Sequence, residues 1–470
     1  MNAHAFVPAC DRSPAVLPVE LLRQFDVPGP RYTSYPTADR FVDAFGADEY
    51  ARALSMRRLA GAGAPALSLY VHIPFCESLC YYCACNKIVT RHRERGRQYL
   101  AYLAREIELQ VAQLGRGAAV AQLHLGGGSP TFLDDAELGE LMALLHRSFS
   151  FVPGGERSIE IDPRTVDAQR LAHLAALGFN RLSFGVQDFD PAVQQAVHRI
   201  QPASQVFALM DAARALGFES INVDLIYGLP QQNEASFART LAQLRALRPD
   251  RVALYAYAHL PERFKPQRRI AADALPDAAT RVRMLAAAIG QLTEAGYVYI
   301  GMDHFALPDD PLAIAKREGR LHRDFQGYGV RPEGDLVALG VSAIGRVGAT
   351  YSQNAKTLED YYDLLDQGRL PVVRGLALSR DDLLRRTVIM ALMCRGRIEF
   401  DAIGEAYAID FRRHFATEFA ALGPLVAQGL VRLSDHDLTV TEQGWFLVRA
   451  VAMVFDRYCS ANRARFSRVV

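Results

Sequence analysis

Short apolar runs alternate with longer amphipathic stretches from about residue 67 to residue 305, and this alternation constrains the fold most strongly. A repeated order of strand, helix and strand predicts a parallel sheet with right-handed crossovers. Continuous apolar strands are typical of burial on both faces of such a sheet. The predicted strands are Leu67–Phe75, Gln122–Leu125, Ser158–Asp162, Arg181–Gln187, Ile221–Ile226, Val252–Ala258 and Tyr297–Met302.

Polar residues at the carboxyl ends of these strands help to choose between two folds that share the alternation, a doubly wound sheet and a (β/α) barrel. A barrel gathers these ends into one mouth, where catalytic groups lie, whereas an open sheet scatters several of them. We therefore predict an α/β fold with a full or partial barrel. The polar residues are His72, the glycine-rich segment 126–130, Asp162, Gln187, Asp188, Asp224 and His259.

The rest of the chain divides into an N-terminal arm, residues 1–55, and a C-terminal domain, residues 376–470; the barrel and a connecting segment occupy residues 56–375. We expect the arm and the C-terminal domain to cover the barrel mouth. The C-terminal domain is predicted to be mainly helical, with a β-hairpin in LVRLSDHDLTVTEQG. Helices with a hairpin also fit a winged-helix domain that binds DNA. However, 13 Arg and no Lys against 11 Asp and Glu after residue 379 give only a weak basic excess for phosphate binding.

Charge and hydropathy disfavour several classes of protein. The chain carries 53 Lys and Arg against 52 Asp and Glu, which does not suggest a nucleic-acid partner. The sequence has no run of about 18 uncharged apolar residues, so no membrane-spanning helix is predicted. The first residues show no basic region followed by an apolar core, so no secretory signal is predicted. A cytoplasmic monomer is the expectation.

Four of the seven cysteines lie close together, in the spacing Cys76-x3-Cys80-x2-Cys83-x-Cys85 just after the first predicted strand. A secreted disulfide framework would spread its cysteines along the chain, and an odd total fits such a framework poorly. Thiolates so close on one loop can reach three corners of an iron–sulfur cube and leave the fourth iron open to a small molecule. We predict a [4Fe–4S] cluster on Cys76, Cys80 and Cys83.

Zinc is the alternative metal, because close cysteine pairs also hold zinc and His72 could supply a nitrogen ligand. A structural zinc site usually stabilises a small loop-rich module and uses a second distant cysteine pair, neither of which this sequence offers. Cys85 is poorly placed to bind the same cluster. We interpret it as a reactive thiol beside the cluster and as the candidate catalytic residue; the alternative is a small buried core residue.

A glycine-rich segment, LHLGGGSPTFL at residues 123–133, follows the second predicted strand. It has neither the Walker lysine nor the GxGxxG spacing, so it forms either a tight turn or a site for an amino acid's ammonium and carboxylate groups. Glu160, Gln187 and Asp224 are polar residues within apolar strands, and they either pair internally or bind a polar ligand. Arg199 could hold a carboxylate or lie solvated on a helix surface.

Taken together, the motifs resemble those of the oxygen-independent coproporphyrinogen III oxidases, a family of radical S-adenosylmethionine (SAM) enzymes. The three-cysteine motif is shared by the whole superfamily. RYTSYPT, the fourth cysteine and GMDHFA are specific to this branch. The matching segments are RYTSYPT (31–37), LYVHIPFC and CYYCACNKIVTR (69–91), GGGSPT, SIEIDPR, NRLSFGVQDF, NVDLIYGLP, YAHLP, GMDHFA (301–306), FQGY (325–328) and GVSAIG (340–345).

The resemblance implies a radical SAM barrel, a [4Fe–4S] cluster and two SAM molecules per chain. For the SAM that binds the open iron, it implies Tyr70, Gly127, Glu160 and Ile344. For the second SAM, the implied residues are Tyr82, Gly128, Ser129, Gln187, Arg199, Asp224 and Ala258. Three positions depart from the family pattern: Ser129 stands where Thr is usual, and Tyr82 and Ala84 stand where Phe and Gly are usual. The hydroxyl and the aromatic ring are retained, so function is expected to survive.

The implied reaction is the anaerobic oxidative decarboxylation of coproporphyrinogen III to protoporphyrinogen IX, in which a 5′-deoxyadenosyl radical converts two propionates to vinyl groups. It requires an external one-electron donor, which the resemblance does not identify. Two alternatives come from other classes of protein. A haem chaperone related to the family keeps the three cysteines but lacks the arm, and a DNA-binding regulator would act through the C-terminal domain.

Overall fold

The computed structural model describes residues 19–330 and 334–459, together with Arg468. Residues 1–18 of the predicted arm, including Cys10, lie outside the described residues.

Nineteen strands occur in the described part of the chain. In chain order they are β1 (Leu67–Ile73), β2 (Phe75–Cys76), β3 (Ile88–Val89), β4 (Ala118–Gly127), β5 (Phe149–Ile161), β6 (Arg181–Gln187), β7 (Ser220–Tyr227), β8 (Arg251–Ala256), β9 (Val298–Gly301), β10 (His304–Ala306), β11 (His322–Asp324), β12 (Gly327–Gly329), β13 (Leu336–Leu339), β14 (Ile344–Val347), β15 (Thr350–Asn354), β16 (Val372–Ala377), β17 (Arg397–Glu399), β18 (Val431–Leu433) and β19 (Asp437–Val440).

The same residues contain seventeen α-helices. They are α1 (Val19–Gln24), α2 (Ala47–Leu59), α3 (Glu94–Leu114), α4 (Asp135–Ser148), α5 (Ala168–Ala176), α6 (Pro191–Ala196), α7 (Ala203–Ala215), α8 (Glu234–Leu247), α9 (Ala278–Glu294), α10 (Pro311–Arg317), α11 (Leu358–Asp366), α12 (Arg380–Arg395), α13 (Phe400–Tyr407), α14 (Phe411–His414), α15 (Ala416–Ala427), α16 (Glu442–Trp445) and α17 (Val448–Met453).

A twelve-stranded sheet dominates the structure, in the order β16-β15-β14-β13-β1-β4-β5-β6-β7-β8-β10-β9. Strands β1 and β4 to β8 are parallel neighbours in sequence order. The predicted parallel α/β sheet is confirmed. Within the described residues the strand order is linear and does not close, so the partial barrel is the form that this chain adopts.

Both edges of the sheet differ from the simple repeat that the sequence predicts. Strand β9, which falls within the seventh predicted strand, does not pair with β8, because the short strand β10 lies between them and runs antiparallel to both. At the other edge, β13 pairs parallel to β1 and β14 to β16 continue the sheet with antiparallel pairing. The region predicted only as a connecting segment therefore supplies four strands.

Helix ends follow local sequence signals. Gly178 and Gly217 come just after α5 and α7 with φ of +87° and +79°, a conformation that glycine adopts without strain. Asp134 caps α4, since its side chain accepts a hydrogen bond from the Glu137 N–H at 2.8 Å. Gly178 and Gly217 thus end their helices just before the next parallel strands, β6 and β7, begin.

The core lies between the sheet and the helices packed on its outer face. In β1, Leu67, Leu69 and Val71 are fully buried, whereas Ser68 and Tyr70 between them are only partly buried. Burial on both faces of the strands, as expected from their apolar sequence, therefore holds for the outer face alone. The inner face carries polar side chains and lines the interior of the partial barrel, here called the lumen. This polar inner face carries the candidate site.

The N-terminal arm runs between the barrel and the C-terminal domain. Tyr32 donates a hydrogen bond to Asp456 at 3.0 Å, and both side chains are buried. Thr33 shares a cavity with Ser68 and Gln122, which lie in the amino-terminal halves of β1 and β4. The arm also reaches the carboxyl half of the sheet, since the Arg31 guanidinium lies over the Tyr255 ring of β8, 5.1 Å from the centroid. Cover over the mouth by the arm stays a prediction.

The C-terminal part of the described chain is mainly helical, as predicted. Its predicted hairpin is formed by β18 and β19, and β17 pairs with the other side of β19. No helix in the described ranges is both long enough and apolar enough to cross a membrane.

Candidate active site

The cysteine loop begins where β1 ends and is anchored on both sides. Strand β2 pairs with β3 so that Phe75 lies opposite Ile88 and Cys76 opposite Val89. The Ile88 N–H donates to the Pro74 carbonyl at 2.7 Å, and the Thr90 N–H donates to the Cys76 carbonyl at 2.9 Å. The loop is thus held at the carboxyl end of β1, at the barrel mouth.

The three predicted cluster ligands lie on this loop in different surroundings. Cys80 is buried, and Cys76 and Cys83 are partly buried. Burial raises the pKa of Cys76 to about 12. A hydrogen bond with Cys85, opposed by burial and assisted by the nearby Lys87 ammonium, lowers the pKa of Cys83 to about 6. The site therefore already favours one thiolate at neutral pH.

Cys85 is exposed, so the alternative of a buried core residue is wrong. Its hydrogen bond with Cys83, reinforced by the charge on that residue, raises the pKa of the Cys85 thiol well above its ordinary value.

A charged network lies directly behind Cys80. Arg199 is only 6 % exposed, and its guanidinium is 3.2 Å from Asp162 and 3.4 Å from the Cys80 sulfur. Arg164 also approaches the Cys80 sulfur at 3.4 Å and pairs with Asp162 at 2.6 Å. Burial opposes the charge on Asp162, but the two guanidinium groups lower the pKa of its carboxyl below the ordinary value. Arg199 therefore does not lie on a solvated surface, and the two arginines place positive charge beside the Cys80 sulfur.

The glycine-rich segment packs against the start of the cysteine loop. The Gly128 N–H donates to the Ile73 carbonyl at 2.8 Å, and a Cβ at Gly128 would lie 2.7 Å from two backbone carbonyl oxygens. Gly127 has φ of +119°, which side chains rarely adopt. The Ser129 hydroxyl lies 3.1 Å from that of Thr131. The glycines therefore let this segment pack against the cysteine loop more closely than side chains would allow.

Glu160 of β5 contacts both the glycine-rich segment and His124 of β4. Its carboxylate accepts a hydrogen bond from the Gly127 N–H at 3.1 Å and lies 3.3 Å from Nε2 of His124. Although burial lowers it, the hydrogen bond and charge of Glu160 raise the pKa of His124 above the ordinary value. The Tyr70 ring stacks on His124, with 5.9 Å between the ring centroids. The structure thus brings Tyr70, Gly127 and Glu160 together, while Ile344 lies at the start of β14.

Asp224 and Gln187 lie on the neighbouring strands β7 and β6. Asp224 accepts hydrogen bonds from Asn222 at 2.8 Å and Ser183 at 3.2 Å. Burial and, secondly, the charge of Glu160 raise the pKa of Asp224 to about 6. Gln187 has φ of +71°, and a Cβ at Gly185 would lie 2.9 Å from its amide nitrogen. Hydrogen bonds within the protein therefore account for only some of the polar side chains on this face of β6 and β7.

Tyr82 and Ala258 are joined through a residue that the sequence did not single out. The Gln267 amide donates to the Tyr82 carbonyl at 3.0 Å and to the Ala258 carbonyl at 3.1 Å. Arg164 and His124 were likewise missed as site residues. Arg164 could have been found from its place two residues after Asp162, and His124 from its polar character within a strand, whereas Gln267 lies in a short 3-10 helix, Lys265–Arg269, without a motif.

Comparisons with known proteins agree with this geometry. Residues 70–244 match the family model of the radical SAM superfamily, and residues 378–447 match that of the HemN C-terminal domain. The chain is 50% identical to the oxygen-independent coproporphyrinogen III oxidase of Pseudomonas aeruginosa over 96% of its own length and 98% of that protein. Identity to the Escherichia coli K12 protein of the same name is 46%, over 96% and 98% of the two chains. The solved structure of the E. coli coproporphyrinogen III oxidase, described as a radical SAM enzyme, superposes with a TM-score of 0.89 at 45% identity, covering 94% of this chain and 99% of that one.

The partial barrel with its three-cysteine loop defines a radical SAM enzyme. Within that class, the chain belongs to the family of oxygen-independent coproporphyrinogen III oxidases.

The residues present fit the [4Fe–4S] cluster and the SAM that this class uses. Three thiols on one anchored loop supply the donors, and two arginines beside Cys80 offset the negative charge of a thiolate-bound cluster. No group of three or more metal-binding side chains is drawn tightly together in the part of the chain that is described. A four-iron cube takes its thiolates at separate corners, so its ligands are more widely spread than those of a single ion.

Proposed function

We propose that this protein catalyses the oxygen-independent oxidative decarboxylation of coproporphyrinogen III to protoporphyrinogen IX in haem biosynthesis. The observation that carries the proposal is the 50% identity that extends over 96% of the chain. That range includes the branch-specific segments RYTSYPT and GMDHFA. The cysteine loop alone would indicate only the superfamily.

The cysteine loop and the polar strand ends have separate tasks in this proposal. Cys76, Cys80 and Cys83 hold the cluster, and Cys85 remains a free thiol beside it. Tyr70, Gly127, Glu160 and Ile344 bind the SAM next to the cluster. A second SAM is bound by Tyr82, Gly128, Ser129, Gln187, Arg199, Asp224 and Ala258.

When bound, the cluster and SAM supply a radical that removes a hydrogen atom from a propionate side chain of the substrate. The protein's own contribution is orientation and exclusion of water. Glu160 fixes the Gly127 backbone by accepting its N–H hydrogen bond, and the Arg199–Asp162 ion pair stabilises the structure behind Cys80. Arg31 of the arm packs against Tyr255 and Arg323, so that a bound substrate is shielded from solvent on that side.

We further propose that the protein acts as a cytoplasmic monomer and receives single electrons from a flavodoxin- or ferredoxin-like donor. Free thiols persist in a reducing compartment, which supports the cytoplasm. Cys85 of the cysteine loop is exposed, so an electron donor can approach the cluster site from that side.

The test is anaerobic reconstitution of the full chain with iron and sulfide, followed by incubation with coproporphyrinogen III, SAM and a reductant. We expect divinyl product in the HPLC of the oxidised porphyrins and 5′-deoxyadenosine in parallel. A reconstituted protein that cleaves SAM, gives no vinyl product with any reductant and binds haem tightly would instead be a chaperone.

The cysteine assignment has its own test. Ser substitutions of Cys76, Cys80 and Cys83 should each abolish the cluster, because a hydroxyl is a poor ligand for iron–sulfur iron. Cys85→Ser is the matched control and should retain it. Iron and sulfide analysis with EPR of each reduced variant decides; loss of the cluster in Cys85→Ser would contradict the assignment.

A further inference from the structure

Helix α3 carries a carboxylate on its buried face. Glu106 is fully buried and accepts hydrogen bonds from three neutral groups: the Gly340 N–H at 2.7 Å, the Asn354 side-chain amide at 2.7 Å and the Tyr361 hydroxyl at 2.6 Å. Burial raises the pKa of Glu106 above the ordinary value, although these hydrogen bonds oppose the rise. A buried carboxylate whose donors are neutral is costly compared with an apolar side chain. We therefore look to the groups that it holds for its role.

Glu106 holds the backbone of the loop 340–343, which joins β13 to β14. Asn354 strengthens this link, since its side-chain amide donates both to Glu106 and to the Gly340 carbonyl, the latter at 2.8 Å. Ile344 begins β14 directly after the loop. The position of Ile344 therefore depends on how α3 holds the loop.

Tyr99 lies two turns before that carboxylate on the same helix and joins the loop to the end of β1. Its hydroxyl donates to the His72 carbonyl at 2.7 Å and accepts from the Val341 N–H at 3.0 Å. Residues seven apart lie on the same face of a helix. A Cβ at Gly340 would lie 2.6 Å from the His72 carbonyl oxygen, so the loop and the strand end are in close contact.

The two segments that α3 joins in this way both lead into the proposed cluster and SAM site. His72 lies four residues before Cys76, and its Nε2 atom is 3.0 Å from the carbonyl oxygen of Asn86, just after the fourth cysteine. In the proposed function the cysteine loop holds the cluster, and Ile344 contacts the SAM that binds the open iron. One SAM molecule must reach both, so the spacing of the two segments decides how well it binds.

We propose that Glu106 and Tyr99 are positioning residues that set the spacing between the cysteine loop and the loop 340–343, and thereby the affinity for the SAM beside the cluster. Both side chains are fully buried and act through the Gly340 and Val341 backbone. The inference rests on the proposed function, because it requires the SAM that Ile344 contacts. A displacement of about 1 Å can cost about 100-fold in an enzyme, so even small shifts of either loop matter.

The test titrates the reduced cluster of the anaerobically reconstituted full chain with SAM and follows the EPR spectrum. Glu106→Gln keeps the shape of the side chain, but only one oxygen remains to accept from the three donors. We expect the SAM concentration at half change to rise about 10- to 100-fold. Iron and sulfide contents, and the spectrum without SAM, should stay at the wild-type values. In turnover, the KM for SAM should rise likewise, and the KM for coproporphyrinogen III should not.

Two controls separate positioning from a general loss of stability. Tyr361→Phe removes one donor from the same carboxylate and keeps the hydrogen bond from Gly340. Asp310→Asn changes another buried carboxylate, which pairs with Arg251 at 2.9 Å where β8 begins, at the end of the sheet away from the cysteine loop. Both variants should respond to the same SAM concentrations as the wild type, even where urea denaturation shows a loss of stability.

Tyr99→Phe removes the hydroxyl between the His72 carbonyl and the Val341 N–H, so it should also raise the half-saturating SAM concentration. It decides the matter if Glu106→Gln assembles no cluster. A response at wild-type SAM concentrations in both positioning variants, an equal rise in either control, or loss of the cluster from both positioning variants would overturn the inference. A wild-type cluster that does not respond to SAM would instead contradict the proposed function.

Discussion

Replacing Asp224 by Asn should stabilise the protein without cofactors and impair its catalysis. The carboxylate lies on the inner face of β7, where burial and the charge of Glu160 raise the pKa of Asp224 from 3.8 to about 6. Asn has the same shape, can accept the hydrogen bond from Asn222 and can donate to the Ser183 hydroxyl. The substitution therefore removes a charge and retains the local contacts.

The magnitude and its sign follow from proton linkage. Below about pH 4 the carboxyl group is protonated in both the folded and the unfolded chain, so Asp224 costs nothing. Between about pH 4 and 6 the unfolded chain ionises while the folded chain keeps its proton, and stability is lost as the pH rises. Above pH 6 the cost is constant. The rise of the pKa from 3.8 to about 6 corresponds to about 3 kcal/mol, an upper bound because Asp224 is only partly buried and faces the lumen.

The assay is anaerobic urea denaturation of the protein without cofactors at several pH values from 4.5 to 8, comparing wild type, Asp224→Asn and Asp211→Asn. Asp211 is a matched control because its side chain is 78% exposed. We expect Asp224→Asn to gain stability progressively up to about pH 6 and then to stay ahead by up to about 3 kcal/mol. After reconstitution it should form less vinyl product. A stability difference that is independent of pH, or a wild type that is more stable at pH 8, would refute the electrostatic reasoning.

Three further substitutions test other parts of the structure. Glu160→Ala removes the acceptor of the Gly127 N–H and should weaken the EPR change that SAM produces in the reduced cluster, a change that Asp224→Asn should leave intact; identical spectra would argue for a single SAM site. Gly128→Ala places a Cβ 2.7 Å from backbone oxygens and should prevent cluster assembly, whereas the control Gly139→Ala, in open space on α4, should assemble normally in iron analysis. Tyr32→Phe deprives buried Asp456 of a hydrogen bond and should cost about 1–3 kcal/mol in denaturation; a change below about 0.5 kcal/mol would show that the contact does not secure the arm.

The parallel part of the sheet could be predicted because each strand is followed within a few residues by its own helix and stop signal. Gly178 and Gly217 mark such stops, and both adopt the left-handed conformation that a stop requires. The edges of the sheet could not be predicted in the same way. Pairing of β10 between β8 and β9, and of β13 with β1, depends on contacts between distant segments, and no local pattern encodes it.

The same contrast between local sequence signals and contacts of distant segments applies to the candidate site. Cysteine spacing and polar residues at strand ends are local features, so Cys76, Glu160 and Asp224 could be singled out from the sequence. Their partners could not, because the arginines behind Cys80 and the amide that joins Tyr82 to Ala258 come from other elements. Arg199 shows the difference most clearly, since its sequence context fits a surface helix while the fold buries it against Asp162.

Contacts between distant segments also fix the place of the arm against the barrel. The Arg31 carbonyl accepts two hydrogen bonds from Arg323, and the Arg31 guanidinium pairs with Asp303 of GMDHFA at 3.0 Å. Through these contacts Arg31 fixes both Arg323 of β11 and the turn between β9 and β10. RYTSYPT, GMDHFA and the hairpin that carries FQGY are far apart in sequence but are joined through this one residue of the arm. No local pattern encodes such contacts, so the place of the arm follows only from the fold.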